Sequence, residues 1–162
     1  MISRITENLY IGEYTDVIGQ TSEETWQRFE QLRALGINHV LSLCSEGVES
    51  GQIVKEFEAF RVSQRGKTTV QLNHKPVPVN IDSVGHDLYK IGFQEALKEL
   101  SAILFNDPKA KVLIHCTAGI DRASFVVASF LVRCCGFRNL ADAYREIKKV
   151  RPSVIEHFEW AW

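Results

Sequence analysis

A three-layer α/β fold, with a mostly parallel central sheet flanked by helices, is predicted by three features of the chain. Short segments rich in Ile, Val and Leu alternate with longer stretches of helical periodicity. Breakers separate them at Gly36, at Asn106-Asp107-Pro108 and at Gly136. The length, 162 residues, suits one domain spanning 1–162, enough to bury roughly two-thirds of the unfolded surface around one core.

The elements follow in order. Arg4 to Gly12 reads as a short strand or hairpin edge through Ile5, Leu9, Tyr10 and Ile11, and a polar stretch follows. Thr21 and Glu24 stand in capping-box relation ahead of Trp26, Phe29, Leu32 and Leu35, a stripe spaced by three that Gly36 stops. Ile37 to Cys44 is apolar and partly β-branched, which predicts a central strand. Ile53, Val54, Phe57 and Phe60 return at helical spacing. Thr68 to Val79 reads as extended, with Pro76 and Pro78 confining it to an edge or an exit. Asp87 can cap a long helix through Leu88, Ile91, Phe93, Leu97, Leu100 and Leu104. Lys111 to His115 is a short buried strand, Cys116 to Asp121 a tight segment, and Arg122 to Cys135 a mostly apolar helix. Asn139 opens another helix through Leu140, Tyr144 and Ile147 up to Arg151-Pro152, and Ile155, Phe158, Trp160 and Trp162 suggest a terminal helix.

Charge and cysteine usage narrow the function. Lys and Arg total 19 against 20 Asp and Glu, a net charge of −1, so no overall field gathers nucleic acid or an anionic membrane. Cys44, Cys116, Cys134 and Cys135 lack the spacing of a disulfide framework or a zinc knuckle, and His39, His74, His86 and His157 lack ligand spacing. Free thiols point to a reducing compartment, cytoplasmic or nuclear. No metal and no cofactor are expected. The start of the chain has no apolar leader core, and the run from Ala123 to Val132 is too short to cross a bilayer, so no membrane insertion is expected. Arg61, Arg65 and Lys67 form a small basic stretch read as a solvated loop. A monomer is expected.

The segment that carries chemistry is His115-Cys116-Thr117-Ala118-Gly119-Ile120-Asp121-Arg122. Placed between a strand and a helix, such a loop turns successive backbone N–H groups inward at a helix N-terminus, while an arginine offers a planar fork for two phosphoryl oxygens. Thr117, Ala118, Gly119, Ile120, Asp121 and Arg122 would thus cradle a dianion. The same positive field favours a Cys116 thiolate. A thiolate beneath a bound phosphoryl group implies in-line attack on phosphorus, a phosphocysteine and its hydrolysis by water.

These residues resemble the signature of the cysteine-based protein phosphatase superfamily, HCxxGxxR, and above all its dual-specificity branch. His115, Cys116, Gly119 and Arg122 fall on its fixed positions. Ile2 to Ile5 with Leu9 to Gly12, Leu35 to Leu41, Phe93-Gln94-Glu95-Ala96 and Arg151-Pro152 are similar to further motifs of that branch. The resemblance implies Cys116 as nucleophile, Arg122 as phosphate binder, His115 as a structural residue that tunes the thiol, and phosphotyrosine, phosphoserine and phosphothreonine proteins as substrates. It places the general acid just beyond an Ile-Pro-Val-like strand, where Val77-Pro78-Val79-Asn80-Ile81 leads to Asp82; Asp87 and Asp121 remain alternatives.

Two departures stand out. Ala123 replaces the hydroxyl residue that assists breakdown of the phosphoenzyme, with Ser124 one position later as a partial substitute. Asp121 stands where many relatives carry Ser, Gly or Lys, and its charge would repel a dianion unless it turns toward another group. Cys44, after Leu43, is similar to the resolving cysteine of some lipid-directed relatives, which implies a possible disulfide with Cys116; a small buried hydrophobe is the other reading. Asp121 leaves a phosphoinositide or other non-protein phosphate ester open as substrate, although the loop lacks the lysines of lipid-directed relatives. Ala118 replaces the His of relatives that act on RNA ends. Ala123 leaves open a pseudophosphatase that binds phosphorylated partners without cleaving them.

Overall fold

The computed structural model describes residues 1–44, 47–67, 71–81 and 88–161. Its sheet has five strands: β1 (Ser3–Thr6), β2 (Leu9–Glu13), β3 (His39–Ser42), β4 (Asn73–Pro76) and β5 (Val112–Cys116), in the order β1-β2-β5-β3-β4. Only β1 runs antiparallel, as the hairpin partner of β2; the other neighbours are parallel. The mostly parallel centre expected from the sequence is present, with β5 in the middle.

Side-chain alternation along these strands sorts the core into two layers. Leu9, Ile11, Leu41, Leu43, Val112 and Ile114 face one cluster. Tyr10, Val40, Cys44 and Leu113 face the other. The first layer is covered by α4 (Leu88–Asn106), α5 (Arg122–Cys134) and α6 (Leu140–Lys148), the second by α2 (Ser22–Ala34) and α3 (Gly47–Ser63), with α1 (Tyr14–Val17) beside them. Helix α5 packs against both α4 and α6, and its residues from Arg122 to Leu131 are all buried.

Local chemistry accounts for the helix ends. Thr21 Oγ1 accepts from the Glu24 N–H at 3.1 Å, whereas the Glu24 carboxylate takes the Gln20 N–H at 2.8 Å, so the capping box is shifted by one residue. Gly36, at φ +85°, ends the segment after α2. Asn139 Oδ1 accepts from the Asp142 N–H at 2.9 Å to cap α6. The Asp87 cap expected for α4 lies outside the described residues.

Several expectations are corrected. The polar stretch after β2 contains α1, whose start is closed by the Glu13 and Asp16 side chains. Leu35, Val54 and Ile91, counted on apolar stripes, are exposed, because each stripe is narrower than its periodicity suggested. The chain after α6 forms turns rather than a terminal helix; Trp160 still packs, with its ring 5.1 Å from Phe93 and 5.7 Å from Phe125. Trp162 lies outside the described residues. Among the described residues of the extended segment, Asn73–Pro76 is strand. Val77 and Val79 donate their N–H groups to Ser42 and Leu43, which places Pro76 and Pro78 on the outer side of the edge, where a missing N–H costs nothing.

Candidate active site

Strand β5 is buried at all five residues and is held between β2 and β3, so Cys116 at its C-terminal end has a fixed position. The chain then turns through residues 117–121 and enters α5 at Arg122. The open end of a parallel sheet, at the start of a helix, is where α/β folds bind anions.

The loop is shaped from behind. Tyr14 N–H donates to the Thr117 carbonyl at 3.0 Å, and Ile155 N–H to the Ile120 carbonyl at 2.9 Å. The Gly119 carbonyl accepts from Arg151 Nε at 2.8 Å and from Ser124 Oγ at 3.3 Å. With these carbonyls held on the outer side, the Gly119 N–H donates to Cys116 Sγ at 3.3 Å. Gly119 has φ +67°, and a Cβ there would stand 2.5 Å from the Gly12 carbonyl oxygen, so only glycine fits without strain.

Arg122 is buried, 6% exposed. Its Nη1 donates to the Val79 and Leu43 carbonyls at 3.1 and 3.4 Å, and its Nη2 to Thr117 Oγ1 at 3.0 Å. Carbonyls on the chain just beyond β3 and β4 thus aim the guanidinium across the loop. Val79, the last buried residue before the Asp82 segment, touches Arg122; Asp82 itself lies outside the described residues, as does His86.

His115 is fully buried beneath the loop. Its Nδ1 lies 3.2 Å from the Cys116 carbonyl oxygen and its Nε2 2.7 Å from Ser42 Oγ, which is also 2.8 Å from His74 Nε2. Burial pushes His115 down to about 4 and His74 to about 3, so both rings are neutral at neutral pH. Asp121 has turned outward: its Oδ1 lies 2.9 Å from His157 Nε2, while the other ring nitrogen faces Glu159. Burial alone would lower the His157 value, but the two carboxylates outweigh it and raise it. The Asp121 carboxylate, which would otherwise repel a bound dianion, is thus turned to a ring whose protonated form it and Glu159 favour.

The remaining candidates fall as follows. Ala123 is fully buried in the first turn of α5, and Ser124 directs its hydroxyl to the Gly119 carbonyl, so it buttresses the loop. Cys44 is a buried thiol, in no disulfide, two residues beyond Ser42, the residue that pairs with His115. Arg61 lies on α3, paired with Glu58 at 2.9 Å, rather than in a loop. Among the described residues, no group of three His, Cys, Asp or Glu is placed to hold a metal ion, and no helix is long and apolar enough to cross a membrane.

The family described as "Dual specificity phosphatase, catalytic domain" matches residues 18–161. The chain belongs to that family. It is 33% identical over 90 residues to dual specificity protein phosphatase 5 of Rattus norvegicus, covering 56% of this chain and 22% of the relative. It is 27% identical over 161 residues to the tyrosine-protein phosphatase vhp-1 of Caenorhabditis elegans, covering 98% of this chain and 20% of the relative. The chain thus spans about a fifth of the length of these curated relatives. The fold is shared with the PTP-2 phosphatase of Cydia pomonella at TM-score 0.70 and 17% identity, over 98% of this chain and 84% of that one. It is also shared with the human tyrosine phosphatase-like serine/threonine/tyrosine-interacting protein at TM-score 0.68 and 16% identity, over 98% and 89%.

Within this dual specificity phosphatase domain, three contributors were not recognised from sequence. Arg151 was noted only as part of a motif, yet it binds the Gly119 carbonyl, Ser3 Oγ at 3.0 Å and the Met1 carbonyl. For His74 and His157 the sequence shows only that ligand spacing is lacking, because nothing in their local sequence announces partners 32 and 36 residues away.

Proposed function

We propose that the chain is a phosphomonoester hydrolase acting on phosphotyrosine and phosphoserine or phosphothreonine proteins. Cys116 is the nucleophile, Arg122 with the backbone of residues 117–122 the phosphate binder, and Asp82 the general acid. The observation that carries this reading is the Gly119 N–H aimed at Cys116 Sγ in a loop whose carbonyls are bonded on its outer side. In the first step the sulfur anion forms an S–P bond as the P–O bond to the alcohol or phenol breaks, and the leaving oxygen takes its proton from Asp82. In the second, water attacks phosphorus, its proton passes to the Asp82 carboxylate, and inorganic phosphate leaves with the thiolate restored. Amide donors and the guanidinium hold the equatorial oxygens through both steps.

The test is a substrate trap. Cys116→Ser is expected to abolish hydrolysis of an aryl phosphate while still retaining phosphorylated proteins from a lysate. Retention of phosphoinositides with no phosphoprotein would move the substrate class to non-protein esters, the reading Asp121 keeps open.

Ala123 supports a second reading, in which the phosphoenzyme breaks down slowly or the domain only binds phosphorylated partners. No hydroxyl follows Arg122, and that of Ser124 is engaged by Gly119. A pre-steady-state burst followed by slow turnover is expected, with Ala123→Ser raising the steady-state rate several-fold, at most on the order of the 10²-fold that one positioned proton-handling group supplies. Absence of any burst with phosphopeptide binding retained would favour the binding module.

A further inference from the structure

A line of three side chains runs from the edge of the sheet to the floor of the loop. His74 Nε2, Ser42 Oγ and His115 Nε2 are linked at 2.8 and 2.7 Å, and His115 Nδ1 reaches the Cys116 carbonyl oxygen at 3.2 Å. The residues come from three adjacent parallel strands. Register pairs Val40 with His74 and Ser42 with His115, so all three side chains stand on one face. The His74 ring is stacked on Phe57 with centroids 4.2 Å apart and planes within 6°, which fixes the plane in which it meets Ser42.

The carbonyl at the end of the line determines where each proton sits. A carbonyl oxygen only accepts, so His115 Nδ1 carries hydrogen. The ring is fully buried and neutral, so its Nε2 bears a lone pair. Ser42 then donates to that nitrogen, and its oxygen accepts from His74 Nε2–H. Three donors in series all point toward the Cys116 peptide, and in a buried setting such bonds polarise one another.

We propose that Ser42 and His74 are positioning residues for the thiol. They hold His115 as its Nδ1–H tautomer and, through it, present the positive end of a hydrogen-bonded line to the peptide that carries the sulfur. The proposal rests on the reading of Cys116 as nucleophile. It adds two residues outside the signature motif, one of them on an edge strand. The other charges around this floor are Arg122 from α5 and Asp16 from α1, which act on His115 in opposite senses, Glu13 at the end of β2 facing Arg151, and Asp121 held by His157.

Two readouts test it, neither needing turnover. Nitrogen-15 NMR of the imidazoles is expected to find hydrogen on Nδ1 of His115 and on Nε2 of His74. The rate of Cys116 alkylation by iodoacetamide, followed against pH, is expected to shift its midpoint upward by about half to one pH unit in Ser42→Ala, the range set by losing one buried hydrogen bond. Ser42→Thr, which keeps the hydroxyl, restores the wild-type midpoint. His74→Phe keeps the stack on Phe57 and removes the donor, and is expected to shift the midpoint by a smaller amount in the same direction. Should Ser42→Ala fail to fold, the Thr and Phe variants carry the comparison. Hydrogen on Nε2 of His115 in the wild type, or an unmoved midpoint in folded Ser42→Ala or folded His74→Phe, overturns the proposal. Failure of the wild type to hydrolyse any phosphate ester would instead sink the phosphatase reading, with the tautomers and alkylation profile still measurable.

Discussion

His115 lies against the inner wall of the loop and His157 against its outer rim, and the protein treats the two imidazoles in opposite ways. The inner ring is completely buried and meets a serine and a carbonyl, groups that satisfy a neutral imidazole. The outer ring is partly exposed, stacks on Trp160 at 3.7 Å, and meets Asp121 and Glu159, which favour an imidazolium. Desolvation acts downward on both; only the rim supplies enough negative charge to overcome it. One loop is thus supported by a wall whose imidazole stays uncharged and a rim whose carboxylates favour the charged form, and acid and base should weaken it from different sides.

The largest effect is expected where wall and rim meet, at Gly119. Its carbonyl takes Arg151 and its N–H faces Cys116. In Gly119→Ala the new Cβ would stand 2.5 Å from the Gly12 carbonyl oxygen and 2.6 Å from Arg151 Nη2, at a φ of +67°. The left-handed conformation alone costs about 1–3 kcal/mol for a side chain that rarely adopts it. Relief of the clash must displace either β2 or Arg151. Aryl phosphate hydrolysis is expected to fall by at least about 10²-fold, the loss that follows removal of one positioned oxyanion donor. A variant with wild-type kcat/KM would mean that the loop tolerates displacement, and that its bracing from behind does not set its shape.

The next effect separates wall from rim by pH. His115 and His74 have folded values of about 4 and about 3, below the 6.5 of an unfolded imidazole. The unfolded chain therefore takes up protons first as pH falls. The stability that this wall contributes is complete above about pH 6.5 and is lost as pH drops toward 4 and then 3, at up to about 1 kcal/mol per pH unit for each ring. Thermal denaturation across that range is the measurement. In His74→Phe the acid slope is expected to shrink by about one proton; an unchanged slope would show that His74 does not stay neutral in the fold.

The wall was more legible in sequence than the rim. Ile, Val and Leu runs announced β3 and β5, and the signature residues announced the loop, because local pattern and backbone geometry fix both. Ser42 and His74 gave no local signal: their meeting depends on the register of three parallel strands, which no single segment specifies. His157 was hidden for a different reason. It sits on irregular chain held by Ile155 N–H on the Ile120 carbonyl and by the ring stack on Trp160, contacts that have no periodicity to betray them. Asp121 announced only half of its pair: the need for a compensating group was readable, the identity of that group was not. α1 was missed because four residues closed by Glu13 and Asp16 present too short a pattern to recognise.

The smallest expected effect belongs to the rim itself. The His157 value is raised above 6.5, so its contribution to stability is complete below that pH and is lost as pH rises through the folded value. The site is partly exposed to solvent, and the ion pair is expected to contribute no more than about 1 kcal/mol. Its clearer consequence is electrostatic. When His157 gives up its proton, Asp121 stands next to Arg122 in the chain with its charge no longer matched, and a dianionic substrate meets that charge. His157→Gln keeps a hydrogen bond to Asp121 but carries no charge at any pH. It is expected to raise KM for an aryl phosphate by about two- to fivefold at pH 6, to converge with the wild type as pH rises, and to leave kcat nearly unchanged, the scale of a single screened charge. A KM ratio that stays constant from pH 6 to 9 would mean that the rim acts through packing alone, and that the contrast between a neutral wall and a charged rim has no bearing on substrate.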